Sequence, residues 1–227
     1  MVASTIPETV VGAPVATRKM SRSGELHIVR DDLAGLVAHD LRTPLAAISM
    51  NLDFALGELP ADASEAVRAA LEDCRGANAR AVRVVSDMAD AVQLSSGERR
   101  ATLSEVDPSA LVSAAVEGIA AESKARDVSI SARVASSLMS ADVYLLTRAL
   151  ERVVERAVWQ GRGGGQVEIA LDGRVLTVQV SPAPVGGPDA ARSLGTHFAE
   201  AAMRAQGGSL LIESDGKSLF FRMTLPR

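Results

Sequence analysis

The chain is poor in cysteine and in aromatic residues, with one Cys, one Trp, one Tyr and four Phe among 227 residues. A single cysteine excludes an internal disulfide framework. Cys74 falls on an apolar helical stripe and is expected to be a small buried residue. No run of about 18 apolar residues occurs, as a membrane-spanning helix would need, and no signal peptide is evident. A cytoplasmic location with no membrane partner is therefore expected. Basic residues do not dominate, with 24 Lys and Arg against 28 Asp and Glu and a net charge of −4. That gives no polybasic footprint for nucleic acid and no attraction to anionic lipid. What is present is 47% hydrophobic residues, enough for one or two modest cores, so two small domains are expected.

The first 23 residues mix Pro, Thr, Ser and Val without helical period and are expected to form a flexible tail, with no sensor domain ahead of the first helix. From about Ser23 to Leu59 the apolar positions Leu33, Val37, Leu41, Leu45, Ile48, Leu52, Ala55 and Leu59 recur at spacings of three and four. That is a helix with one apolar stripe. Pro60 stops it, and Asp62 or Ser64 can cap the next helix. This second helix carries Val67, Leu71, Cys74, Asn78, Ala81, Val85, Met88 and Val92 in a heptad-like seam. Residues 24–97 thus predict an antiparallel hairpin, which alone leaves apolar surface wet. Pairing two copies into a four-helix bundle covers it, and Asn78 at a seam position is a candidate for fixing register.

Polar residues 98–106 read as a linker. From Asp107 the pattern alternates helix and strand. Asp107 and Pro108 open a helix to about Arg126, "VSISARV" has strand character, and Asp142 opens another helix to about Trp159. Strands around Asp172–Gly173 and around Asp215–Gly216 read as two hairpins, with a helix from about Ala190 to Gln206 between them, ended by Gly207 and Gly208. Residues 107–227 predict an α/β sandwich, and the whole chain an α+β protein. Trp159 is expected to pack between helix and sheet.

The stretch "LVAHDLRTPLAAIS", Leu36 to Ser49, carries the chemistry. His39 lies two residues from both Val37 and Leu41, so it faces away from the seam. Asp40 beside it can accept the proton of one imidazole nitrogen, leaving the other with a free lone pair, as a nucleophilic histidine requires. Thr43 is one turn on, where its hydroxyl can orient a water or a phosphoryl oxygen. Pro44 removes the amide that would serve the carbonyl of Asp40. His27 has no acidic follower. Stepping from His39 along the exposed face reaches Thr43, Ala47, Met50 and Phe54, an apolar stripe suited either to a partner helix or to packing against the second helix of the bundle.

"HDLRTPL" resembles the phospho-acceptor box of sensor histidine kinases. By that resemblance His39 is the phospho-acceptor, Asp40 its acid–base partner and Thr43 the residue used in dephosphorylating a partner, with Arg42 and Pro44 as supporting residues. Residues 107–226 resemble the ATP-binding domain of the same family, with departures. Arg156 stands where an asparagine would ligate magnesium, and Arg152 at the earlier asparagine position. A guanidinium has only donors and positive charge and cannot coordinate a cation that needs oxygen ligands. Ser181 replaces the adenine-recognising aspartate, residues 186–193 are too short for a phosphate lid, and Gly195 alone makes no phosphate cradle. The resemblance is strongest to dimeric histidine phosphotransferases of bacterial phosphorelays. It implies a homodimer that moves phosphoryl groups between response-regulator receiver domains through His39 without ATP. No cofactor of its own is expected, and magnesium is expected on the partner receiver; a hybrid histidine kinase is a further candidate partner. The alternatives are a non-catalytic pseudokinase scaffold and an active sensor histidine kinase.

Overall fold

The computed structural model describes residues 22–225. The tail expected over 1–23 therefore lies, up to residue 21, outside the described residues, and Leu33 precedes the first described side chain. Helix α1 runs Arg22–Gly57 with Pro44 inside it, and α2 runs Glu65–Ser96. The two pack against each other as the expected hairpin. Pro60 falls in the connection, and Ser64 caps α2 by accepting from the Val67 amide. At the far end Gly97 takes a left-handed conformation (φ 77°), which a residue without Cβ adopts at no steric cost.

The α/β domain contains α3 (Pro108–Ala125), α4 (Val143–Gln160), α5 (Gly187–Ala190) and α6 (Leu194–Ala205). Its strands are β1 (Ser104–Val106), β2 (Val128–Arg133), β3 (Met139–Ala141), β4 (Gly165–Asp172), β5 (Val175–Ser181), β6 (Ser209–Ser214) and β7 (Leu219–Thr224). The main sheet has order β2-β4-β5-β7-β6, with β2 and β4 parallel and the rest antiparallel. The Asp172–Gly173 and Asp215–Gly216 turns join β4 to β5 and β6 to β7, as read from sequence. Asp107 and Asp142 are the caps of α3 and α4.

Alternation along the strands sends Val167, Ile169, Val178, Val180, Phe221 and Met223 to one face, where they meet Leu146, Leu150, Val153, Val154 and Phe198 of the helices. The other sheet face is polar, so the domain has two layers. Ala91 and Leu94 of α2 belong to this same core, and α2 packs along α6. The hairpin is thus physically continuous with the α/β domain.

Several expectations need correction. Cys74 is exposed, because within one chain α1 does not cover that side of α2. Trp159 is also largely exposed, its ring covered instead by the Arg126 guanidinium at 3.3 Å. The helix expected from Ala190 is two elements: α5 ends at Ala190, and α6 begins only after Ser193, whose hydroxyl accepts from the Thr196 amide while Thr196 returns a bond to the Ser193 amide. The polar connection also holds the short strand β1, paired antiparallel with β3. No helix among the described residues is long and apolar enough to cross a membrane.

Candidate functional site

Helix α1 presents His39 outward. Its Nδ1 lies 3.3 Å from Asp40 Oδ1, with the two side chains 79% and 81% exposed. A contact so fully solvated adds little to stability; its value is orientational. With Nδ1 donating to the carboxylate, Nε2 keeps its lone pair for an incoming electrophile. Asp40, Arg42, Thr43 and Pro44 are all exposed beside it, while Leu45 at the end of the box is half-buried. A groove of about 550 Å3 opens next to the imidazole, lined by Gly35, His39 and Arg42 of α1, Val92 and Gln93 of α2, and Glu98. Its walls come from both helices, so the imidazole sits at an accessible recess.

The position of α1 below the box is set by a contact that sequence did not specify. Asn78 of α2, buried as a seam residue, donates through Nδ2 to the Leu45 carbonyl at 3.1 Å and to Ser49 Oγ at 2.6 Å. Ser49 Oγ in turn donates to the same carbonyl at 3.2 Å. The register role read for Asn78 thus has a concrete form: it ties α2 to α1 one residue past Pro44.

About two to four turns beyond His39, Ala47, Met50 and Phe54 are exposed, Met50 by 72% and Phe54 by 70%. Neither large side chain is covered by α2 of the same chain. The apolar residues Val37, Leu41 and Ile48 of α1 and Val84 of α2 also stay largely open, as a hairpin that uses its stripe only partly within one chain leaves them.

In the α/β domain the residues that depart from the kinase pattern are all engaged. Arg156 donates from Nε to the Ala191 carbonyl at 3.1 Å and from Nη2 to the Ala190 carbonyl, which also accepts from Gln160 Nε2 at 2.5 Å. These bonds tie α4 to the α5 end of the 186–193 segment. Burial lowers the Arg156 pKa from its ordinary value. Arg152 Nη1 donates to Glu155 Oε2 at 2.5 Å. Ser181 Oγ is 2.7 Å from Ser218 Oγ and accepts from Gln179 Nε2 at 3.2 Å. Gly195 lies under Arg152, where a Cβ would come within 3.2 Å of Arg152 Cδ. A cleft of about 300 Å3 remains between α2, α4 and the start of α6, lined by Arg80, Arg83, Arg152, Arg156, Trp159 and Leu194. His197 lies nearby on α6 and is remote in sequence and in element from the His39 box.

Residues 29–97 match the family of the His Kinase A (phospho-acceptor) domain. Over 170 residues the chain is 26% identical to the sensor-like histidine kinase SenX3 of Mycobacterium bovis and of Mycobacterium tuberculosis, covering 74% of this chain and 41% of those relatives. The chain thus spans about two fifths of the length of the curated relatives it matches. Among solved structures, Acinetobacter baumannii histidine kinase AdeS superposes with a TM-score of 0.60 at 14% identity, covering 83% of this chain and 97% of that one. Full-length ShkA, crystallised with AMPPNP, superposes with a TM-score of 0.63 at 20% identity, covering 86% of this chain and 46% of that one. The chain therefore shares the fold of these solved histidine kinases: a helical hairpin, most of which matches the His Kinase A (phospho-acceptor) domain, followed by an α/β domain.

Proposed function

We propose that this chain is a homodimeric histidine phosphotransferase that relays a phosphoryl group between receiver-domain aspartates through His39, without using ATP. The observation that carries this reading is the contrast between the two domains. The phospho-acceptor box is complete and open, while the positions expected to hold magnesium and nucleotide carry guanidiniums bound to the protein itself. Arg152 and Arg156 offer no lone pair to a hard cation. The donor set does not fit a nucleotide-bound magnesium ion. ShkA binds AMPPNP in its crystal; here the Ser181 hydroxyl, in place of an adenine-binding carboxylate, is already engaged with Ser218 and Gln179.

In the proposed reaction Nε2 of His39 attacks the phosphorus of an aspartyl phosphate on a donor receiver. The N–P bond forms as the P–O bond to the aspartyl oxygen breaks, and the carboxylate leaves with the electron pair. Asp40 holds the Nδ1 proton and balances the positive charge that develops on the ring. The reverse step at a second receiver returns His39 to neutrality. Each receiver contributes its own magnesium, and the chain contributes position and charge. Arg42 lies by the groove, where its guanidinium can meet phosphoryl oxygens. Thr43 orients water for partner dephosphorylation, Pro44 leaves the Asp40 carbonyl unpaired within the helix, and Ala47, Met50 and Phe54 receive a receiver helix. The open stripe of Val37, Leu41 and Ile48 is covered by a second hairpin in a four-helix bundle.

The test is incubation of the native chain and His39→Gln with a receiver carrying labelled aspartyl phosphate. Label is expected on the native chain alone. Its absence from both would favour a scaffold that binds receivers without chemistry.

A further inference from the structure

Arg148 and Arg152 of α4 reach out of their own domain. Asp87 of α2 is 2% exposed, and its Oδ1 accepts from Arg148 Nη2 at 2.5 Å. Its Oδ2 lies 3.0 Å from Arg152 Nε, without the alignment of a hydrogen bond, so that attraction is chiefly coulombic. Asp90, one turn along the same face of α2, accepts from Arg148 Nη1 and, at 3.4 Å, from Arg99 Nη1. Arg83 of α2 approaches Glu155 of α4 at 3.6 Å. The Arg99 and Arg148 guanidiniums lie 4.5 and 5.3 Å from the Tyr144 ring, and Arg148 is 4.6 Å from that of Phe198. Gly195 admits Arg152 to this position, as the missing Cβ leaves room for its stem.

Charge crosses in both directions. Helix α2 offers Asp87, Asp90 and Arg83; α4 offers Arg148, Arg152 and Glu155. A network of alternating sign fixes one register between two helices, since sliding by a turn would set like charges together. It also differs in kind from the apolar contacts of Ala91 and Leu94, which tolerate sliding because burial has no direction. Burial raises the Asp87 pKa, with Arg152 and Arg148 opposing it, so a carboxylate taken this far from water is held by its partners and becomes a liability once they are lost.

We infer that Asp87, Arg148 and Arg152 form an interdomain clasp that holds the α/β domain closed on its own hairpin, so that the two move as one body. Arg152, standing where the family pattern has an asparagine, thereby gains a mechanical role. The clasp rests on this geometry alone. Only its consequence, that His39 is left to an external donor, rests on the phosphotransfer reading.

Hydrogen exchange on the 227-residue chain tests the clasp without any receiver. In Asp87→Asn, and separately in Arg148→Gln, amides of residues 83–103 and of α6 are expected to exchange faster by roughly tenfold to 100-fold. Those of β4 and β5 should keep native rates, and Glu72→Gln, which removes only the exposed Arg75 pair, should change nothing. Native exchange at 83–103 and α6 in both clasp variants would overturn the inference. So would acceleration that spreads equally into β4 and β5, because the cluster would then be an ordinary element of overall stability. Neither result depends on whether His39 accepts phosphate, so the clasp and the phosphotransfer reading fail separately.

Discussion

The side-chain amide of Asn78 donates to the carbonyl oxygen of Leu45 at 3.1 Å, one residue past Pro44, and also reaches Ser49 Oγ. A triad of this kind couples its members. Asn78→Ala is expected to cost about 1–2 kcal/mol and Ser49→Ala about 1 kcal/mol, the range for losing a buried hydrogen bond. The double variant should cost less than the sum by roughly 0.5–1.5 kcal/mol. Urea midpoints of the four proteins measure this, and strict additivity would show that the two side chains do not share a network.

Beside the groove, Asp40 is expected to act on the ring of His39. Asp40→Asn keeps the shape and a weaker acceptor but loses the charge that balances the imidazolium, so phosphoryl transfer should slow by about 100-fold or more. The far-ultraviolet spectrum and melting temperature should not move, since the pair is solvent-exposed. Rapid-quench transfer from a phosphorylated receiver checks the rate, and an unchanged rate would remove Asp40 from the mechanism.

Phe54, open to solvent about four turns from His39, separates docking from folding. Phe54→Asp should weaken receiver binding by about 30-fold or more, as loss of an aromatic anchor does, and leave the elution volume of the dimer unchanged. Loss of the dimer in the sizing experiment would place Phe54 in the bundle interior instead.

Asp142 joins the linker to the core. Its Oδ1 accepts from the Leu145 amide at 3.0 Å, capping α4, and its Oδ2 from the Thr102 amide at 2.8 Å. Asp142→Ala removes the cap, which costs about 1–2 kcal/mol, and leaves a second donor unpaired, so a total of about 2–3 kcal/mol is expected. Chemical denaturation measures it.

Acid should act through turns and caps. Hydrogen bonds from the amides of Ser218 and Lys217 hold the Asp215 carboxyl below its ordinary value of 3.8, and bonds from Ser136 and Ser109 do the same for Asp107. A folded-state pKa below the unfolded one gives stability that is present above the unfolded value and lost as pH falls through the folded value. The Asp87 shift is upward and has the opposite sign: its contribution is greatest at low pH and is lost as pH rises through its folded value. The melting temperature of Asp215→Asn should therefore lie below native at neutral pH and converge on it from roughly pH 4 downward. A gap that stays constant with pH would refute the assignment.

Elements punctuated by local chemistry were legible in the sequence. Asp107–Pro108 and Asp142 start helices, Asp172–Gly173 and Asp215–Gly216 turn hairpins, and Gly207 ends α6 with a positive φ, each determined by residues that touch one another along the chain. The motif from His39 to Leu45 stood out for the same reason, being contiguous. What depended on distant partners did not. Cys74 sits on an apolar stripe, yet nothing in that stripe says which side a neighbour will cover. Strands β1 and β3 are three residues each, too short for an alternation to register. The bond between Asp87 and Arg148 spans 61 positions, and no periodicity connects α2 with α4. Arg152 and Arg156 could be read as poor metal ligands from their chemistry, whereas what they bind instead needed the fold.

The source of the phosphoryl group is the central claim. The native chain and His39→Gln, each incubated with magnesium and γ-labelled ATP and, separately, with a receiver bearing labelled aspartyl phosphate, measure it directly. The account predicts acid-labile label on the native chain from the receiver alone, and none on His39→Gln from either source. Label reaching His39 from ATP would contradict it and make this chain a working kinase.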